Sequence, residues 1–577
     1  MTRLWHDPYC ELDRFPLGAV PAGSVVHLCL RVSGPSERAY VRLWRGSDAE
    51  WIEMKPLRSS GYEAEIKAGR EPGLLWYYFV LDTPEGRLYA GKPEVGSCET
   101  YDYEPPSFQI TVYGSSFETP EFMQKGVMMQ IMVDRFRACG RKNQPHGRGA
   151  YLHKKWDEVP DIRLGTGDED CEAIDFFGGN LRGIEEKLDY IQDLGVSVLY
   201  LNPIFRARSN HKYDTGDYKQ IDPSFGTEAD FRRLTRKAKE RGISIILDGV
   251  FSHTGADSRY FNRYHTYDSV GAYESADSPY AKWYAFGATR DEYDSWWGIK
   301  TLPNVIETEP SYLDYIVRSE DSVTAHWLRA GASGWRLDVA DELPMDFIRA
   351  LRARVKAESP ENVVIGEVWE DVTNKISYGR PRCYALGDTL DSAMNYPLRD
   401  HLIAFMLGEI DAYCFADFLN FQLSTLPRPM LHAMMNLLGS HDKPRIINVL
   451  AGQTDLEPER EKRAFIPLTE EEYALGSERF ARAFEFLCNW PGTPCLYYGD
   501  EAGMTGMGDP FCRGTYPWGK EDKVLQSRIR DAIRARAASP VLQTGDTCVR
   551  AVGENEIEVR RSMGGDNEEI TFILKRN

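Results

Sequence analysis

From about Gly126 onward the chain alternates short apolar runs with amphipathic segments. Residues 127–133, 196–201, 243–247, 331–340, 363–366, 390–394, 434–438 and 493–497 form eight apolar runs of strand length. Between them, stretches such as 228–241 and 344–356 place apolar residues at helical spacing, with Lys, Arg and Glu on the opposite face. Eight strand and helix units in one region predict the α/β class and a closed parallel (β/α)8 TIM barrel over about residues 116–540. Residues 1–115 have another texture. Runs at 24–32, 39–44 and 76–81 alternate in and out with period two between Gly, Pro and Asp turns, which predicts an N-terminal antiparallel β-sandwich of immunoglobulin-like kind. Pro105-Pro106 marks its end. Aromatic, Gly-rich and acidic sequence at about 254–304 breaks the alternation after the third barrel strand and reads as an excursion over the barrel mouth. Residues 541–577 read as a short C-terminal β element.

One apolar run carries charge. In Gly331-Ala-Ser-Gly-Trp-Arg-Leu-Asp-Val-Ala340, Trp335, Leu337 and Val339 share one strand face, and Arg336 and Asp338 share the other. A carboxylate held ionised and aimed by a guanidinium is what a nucleophile needs, and a structural ion pair at a strand end fits the same pattern. The ends of the other strands bear on the choice. Asp248-Gly-Val-Phe-Ser-His253 follows the third strand, Glu367-Val-Trp369 the fifth and His441-Asp442 the seventh. A barrel brings these ends to one face. The set holds carboxylates, histidines, an arginine and a tryptophan, with no Ser or Cys nucleophile and no metal-ligand spacing. Paired carboxylates in an aromatic-lined pocket are equipment for cleaving a glycosidic bond.

Composition narrows the partners. The 577 residues include 13 Trp, 31 Tyr and 25 Phe, flat faces of the kind that stack on sugar rings. A formal charge of −19 argues against nucleic acid or an anionic membrane as partner. No apolar run approaches the roughly 20 residues of a membrane span. Met-Thr-Arg-Leu-Trp-His-Asp-Pro at the N-terminus has neither the apolar core nor the cleavage site of a secretory signal, and eleven cysteines without CxxC pairing fit reduced thiols, so the sequence predicts a cytoplasmic protein.

Asp248-Gly-Val-Phe-Ser-His253, Gly334-Trp-Arg-Leu-Asp-Val-Ala340, Gly366-Glu-Val-Trp369 and Ser440-His-Asp-Lys-Pro-Arg445 resemble, in order, the four signature regions of the α-amylase superfamily, glycoside hydrolase family 13. Asn202-Pro-Ile-Phe205, His211-Lys-Tyr-Asp214, Met394-Asn-Tyr-Pro397 and Tyr498-Gly-Asp-Glu-Ala-Gly-Met504 extend the likeness over about residues 125–540. The resemblance implies Asp338 as nucleophile, Glu367 as general acid and base, and Asp442 as transition-state stabiliser. It also implies Arg336 as the partner of Asp338, His253 and His441 as sugar-hydroxyl ligands, Tyr213 as a stacking platform with His211 beside it, Asp248 as support, and Trp369 as a substrate contact. A retaining pair implies carboxyls about 5 Å apart. The sandwich before the barrel and the Trp after the acid resemble the neopullulanase, cyclomaltodextrinase and maltogenic amylase branch. That implies a retaining hydrolase of α-1,4, and also α-1,6, bonds in maltooligosaccharides, cyclodextrins or pullulan, and pairing as a homodimer through the N-terminal domain. A transglycosylase or trehalose-forming isomerase on the same barrel is the alternative. A non-catalytic glucan-binding barrel is another, although such proteins typically lose a carboxylate that this chain retains.

Two positions depart from the branch: Thr301-Leu-Pro-Asn-Val305 replaces its Met-Pro-Lys-Leu-Asn, and Asn180 stands where an acidic residue is usual. Calcium is not expected to be required. Ser252 replaces an asparagine ligand found in many amylases, and the loop with Arg137, Arg141, Lys142, Asn143, Gln144 and His146 is no anionic cage.

Overall fold

A parallel strand buried on both faces sends successive side chains alternately into the barrel and out toward the helices, and this period governs the whole molecule. The computed structural model describes residues 2–576 apart from 59, 141–143, 146–148, 161–172, 454–466 and 565–567. Eight parallel strands follow in chain order: β1 Met128–Ile131, β2 Val198–Leu201, β3 Ser244–Gly249, β4 Gly334–Leu337, β5 Val363–Gly366, β6 Ser392–Ala393, β7 Met435–Leu437 and β8 Thr493–Tyr497. Each lies within or against one of the eight apolar runs. They are hydrogen-bonded in the order β6, β5, β4, β3, β2, β1, β8, β7, and a parallel bridge from Met394 to Met435 closes the ring.

The barrel interior begins apolar. Met128, Val198, Ile246, Ile365, Leu437 and Cys495 form one buried cluster. The outward alternates Met129, Leu199, Leu247, Trp335, Leu337, Val364 and Leu496 join the larger core under the helices. Two residues further along β1, β2, β3 and β5 the inward positions turn polar, at Gln130, Tyr200, Asp248 and Glu367, and β4 adds Arg336 and then Asp338 on the same side. The chemistry therefore sits on an apolar plug at the face where TIM barrels carry their sites.

The helices form where the spacing predicts. Thr227 caps Glu228–Lys239 in a reciprocal box with Asp230, and Phe231, Leu234 and Ala238 are its buried stripe. Met345–Glu358 likewise buries Phe347, Ile348, Leu351 and Val355.

The N-terminal strands, among them Val25–Ser33, Arg38–Arg45, Gly61–Lys67 and Gly73–Thr83, form two antiparallel sheets around a separate core that includes Leu28, Val41 and Phe79. One sheet seats on the barrel through Gln109. Its amide donates to Thr373 Oγ1 at 2.9 Å and accepts from Asn374 Nδ2 at 2.9 Å, bracing the segment that follows β5 and Glu367. At the other end, Asp546–Ala551, Glu556–Ser562 and Glu569–Lys575 form a three-stranded antiparallel sheet. Its Val549, Ile557, Val559 and Leu574 belong to the same core as the barrel helices. The first of these strands, with Thr, Cys and Arg in six residues, shows no apolar pattern in the sequence.

Residues 254–304 hold only two short 3-10 turns, Ala281–Trp283 and Trp296–Gly298, around an aromatic core of Tyr260, Phe261, Trp283, Tyr284 and Tyr293. A bridge between His253 and Asn304 closes the neck of this excursion. No helix among the described residues is long and apolar enough to cross a membrane.

Candidate active site

Arg336 points into the barrel at the level of Asp248, its register partner on β3. It is wholly buried and faces three carboxylates. Nη1 donates to Asp248 Oδ1 at 2.8 Å and Asp338 Oδ1 at 2.9 Å, while Nη2 lies 2.8 Å from Glu367 Oε2. That last approach is close without the alignment of a hydrogen bond. Asp248 Oδ2 accepts from the Tyr200 and Tyr213 hydroxyls at 2.5 and 2.8 Å, so both oxygens of this carboxylate are engaged by protein donors.

Past β4 the chain bends sharply. Val339 has φ 37°, a left-handed conformation uncommon for a β-branched residue, and its N–H donates to Glu367 Oε2 at 2.9 Å. Strain beside Asp338 thus aims a donor at Glu367. Like charges crowded in a buried place make ionisation costly, and the single guanidinium offsets that cost. Burial, helped by the charges of Glu367 and Asp248, pushes the Asp338 carboxyl well above its usual range, and Arg336 opposes that push.

A second chain of hydrogen bonds fixes the histidines. Gln130 donates to His441 Nδ1 at 2.8 Å and to Asn202 Oδ1 at 3.1 Å, and Asn202 donates to the Tyr213 hydroxyl at 3.0 Å. His441 therefore carries its proton on Nε2, 3.3 Å from Asp442 Oδ2. Its ring lies parallel to Tyr213, with centroids 5.2 Å apart. His211 Nδ1 accepts from the Tyr213 N–H at 3.1 Å, which leaves its proton on Nε2 as well. Burial holds both histidines below their usual pKa, with Arg513 and Arg336 adding to the effect at His441. His253 is lowered to about 4 by burial. All three are neutral at pH 7.

These groups surround a cavity of about 490 Å³, within the range of small-ligand sites. Asp338, Glu367, Asp442, His211, Tyr213, His253, His441 and Trp369 all line it. Arg336 and Asp248 do not. They lie beneath the floor at no more than 1% exposure, so they hold the other groups in place and leave substrate contact to the lining. His253 reaches the cavity with both nitrogens engaged, Nε2 on the Tyr213 carbonyl at 3.1 Å and Nδ1 on Ser252 Oγ at 3.0 Å. Trp369 stacks on Tyr396 with centroids 4.2 Å apart and planes within 3°.

Two groups were missed by sequence reasoning. Arg513, from the loop after β8, donates to the His441 carbonyl at 2.9 Å and lies 3.5 Å from Asp442 Oδ1 and 3.1 Å from Asp509. Its signal was its place after the eighth strand. Gln130 is an amide inside the apolar run 127–133, and a lone polar side chain on an inward strand position was legible there.

A family profile described as alpha amylase, catalytic domain, matches residues 130–551. The chain belongs to the α-amylase family. An amylopullulanase of Thermoanaerobacterium saccharolyticum is 34% identical over 100% of this chain and 48% of its own length. The chain spans less than half the length of the amylopullulanases it matches. A cyclomaltodextrinase of Geobacillus thermopakistaniensis is 31% identical over 93% of this chain and 86% of its own. Among solved structures, a cyclic α-maltosyl-(1→6)-maltose hydrolase of Arthrobacter globiformis, in complex with that sugar, is 30% identical. It superposes with a TM-score of 0.64 over 79% of this chain and 91% of its own.

Within this α-amylase family barrel, the described residues at the expected calcium position are committed to protein partners. Ser252 Oγ is engaged by His253 and its carbonyl accepts from the Val305 N–H at 3.0 Å. Arg137 pairs with Glu186 at 2.7 Å. Arg141, Lys142, Asn143 and His146 lie outside the described residues. Asn180 caps helix Leu181–Glu186, its Oδ1 accepting from the Gly183 N–H at 2.9 Å and its Nδ2 donating to the Cys139 carbonyl at 3.0 Å. The neutral residue is used there as a cap.

Proposed function

We propose that the protein is a retaining α-glucan hydrolase that cleaves α-1,4, and also α-1,6, glucosidic bonds in maltooligosaccharides, cyclodextrins or pullulan. One observation carries the reading: Asp338 and Glu367 meet the two terminal nitrogens of one buried guanidinium at the edge of the cavity. Two carboxyls spaced by a single guanidinium suit a retaining pair, which stands closer together than an inverting one.

In this mechanism Asp338 Oδ1 stays on Arg336, and the other oxygen attacks the anomeric carbon. Val339 N–H and the guanidinium both sit at Glu367 Oε2, so the acidic proton is carried on Oε1 and passes to the departing glycosidic oxygen as the bond breaks. Glu367, now a carboxylate, removes a proton from water, whose oxygen displaces Asp338. Two inversions restore the α configuration. Asp442 and the Nε2–H groups of His211 and His441 bind sugar hydroxyls. Tyr213, locked by Asp248 and Asn202, offers its face to the ring at the cleavage point.

No metal is assigned to any of these steps, and activity is expected to persist in EDTA. The ten described cysteines are free, which suits a reducing compartment. Chromatography of products from maltotriose, pullulan and β-cyclodextrin tests the substrate class. Glucose and maltose from maltotriose, with panose from pullulan, support it. Failure on all three substrates, or near-normal turnover by Asp338→Asn, refutes it.

A further inference from the structure

Trp297 is the most exposed tryptophan at the cavity, at 79%, yet it is held in place. The core of the excursion is complete without it, so packing does not account for its position. Its backbone is left-handed, with φ 50° and ψ 28°, a conformation that bulky residues avoid unless their surroundings impose it. Its indole N–H donates to Glu342 Oε1 at 2.8 Å, across to the segment that follows the nucleophile strand. The Tyr378 hydroxyl approaches the same carboxylate from the hairpin after the acid strand; Tyr378 is 77% exposed and also has φ 50°. Inward from Trp297 the aromatic faces continue. Trp296 stacks on it at 5.3 Å and 20°, and His253 lies 5.5 Å beyond. This is a row of flat faces running from the site of cleavage to the rim.

Resting on the hydrolase reading above, we propose that Trp297, tethered by Glu342, is a stacking platform for the distal sugars of a linear α-glucan and sets a preference for longer chains. A pyranose presents a C–H face that packs on indole, and fixing the ring beforehand removes the cost of ordering it at binding. Glu342 is then a positioning residue for Trp297.

The test is the ratio of kcat/KM for maltoheptaose to that for maltotriose. A ratio from one preparation cancels any loss of folded enzyme. Trp297→Ala is expected to lower it about tenfold, as loss of one stacked aromatic face implies. Glu342→Ala lowers the ratio too, Glu342→Gln retains it because the amide oxygen still accepts the indole N–H, and the double Ala variant falls no further than Trp297→Ala alone. An unchanged ratio in Trp297→Ala, while the wild type cleaves both sugars, overturns the platform and leaves hydrolysis standing. A wild type that cleaves neither sugar overturns hydrolysis and the platform with it.

Discussion

Arg336→Met removes the one cation from among three carboxylates while keeping most of the hydrocarbon volume. Arg336 reaches Asp248, Asp338 and Glu367 at 2.8, 2.9 and 2.8 Å in a fully buried position. At an effective dielectric of about 20, unit charges ~3 Å apart interact by about 5 kcal/mol, and removing one partner of a buried ion pair typically costs about 3–5 kcal/mol. Asp248 keeps the Tyr200 and Tyr213 hydroxyls and Glu367 keeps the Val339 N–H, so the loss falls mainly on Asp338. Burial and the neighbouring acids already push that carboxyl up, and the guanidinium is what opposes them. Losing it therefore raises the Asp338 pKa further. As the proposed nucleophile, Asp338 works as the carboxylate, so activity should disappear as pH falls through this pKa. Raising the pKa therefore moves the acid limb of kcat/KM toward higher pH. The assay is kcat/KM on maltotriose from pH 4 to 9 for both enzymes, with a thermal melt at each pH to exclude unfolding. The expected result is an acid limb displaced to higher pH, with a loss of about a hundredfold or more on its acid side, as the lost ~3 kcal/mol of charge stabilisation implies. An acid limb in its wild-type place, with only a uniformly lower rate, would refute the claim that Arg336 keeps Asp338 ionised.

Other outcomes follow from single residues. Glu501 is fully buried, accepts from the Tyr190 hydroxyl at 2.8 Å and is pushed up to about 7 by burial. Its protonated form stabilises the fold below its unfolded pKa near 4.5, and that contribution is lost as pH rises through about 7. Glu501→Gln, which cannot ionise, should therefore gain stability relative to wild type between pH 5 and 8 in urea unfolding; a difference independent of pH contradicts this. Asn180→Ala should cost about 1 kcal/mol as a lost helix cap, and no change in the unfolding midpoint contradicts that assignment. Dialysis against EDTA should leave kcat within about twofold, because the groups at Ser252 are satisfied by protein. Inactivation reversed only by calcium contradicts it.

The barrel was legible because its strands are buried on both faces and appear as uninterrupted apolar runs. Run ends were less legible: 390–394 contributes only Ser392–Ala393 to the sheet, where the ladder and not the apolar composition decides. The site was legible where polar residues stand at the ends of such runs, as with Asp248, Asp338 and Glu367. Arg513 and Trp297 lie on loops with no period to read, and their roles depend on contacts with residues 71 and 45 positions away, Asp442 and Glu342. Sequence also treats His253 as a free ligand, whereas folding commits both its nitrogens.

The most direct test of the central claim is the anomeric form of the first product, read by proton NMR during the opening minutes of maltotriose cleavage, before mutarotation equilibrates it. Attack by Asp338 followed by water activated by Glu367 predicts the α-anomer. Initial release of the β-anomer would contradict it, since water would then have displaced the leaving group in one step without a glycosyl-enzyme on Asp338.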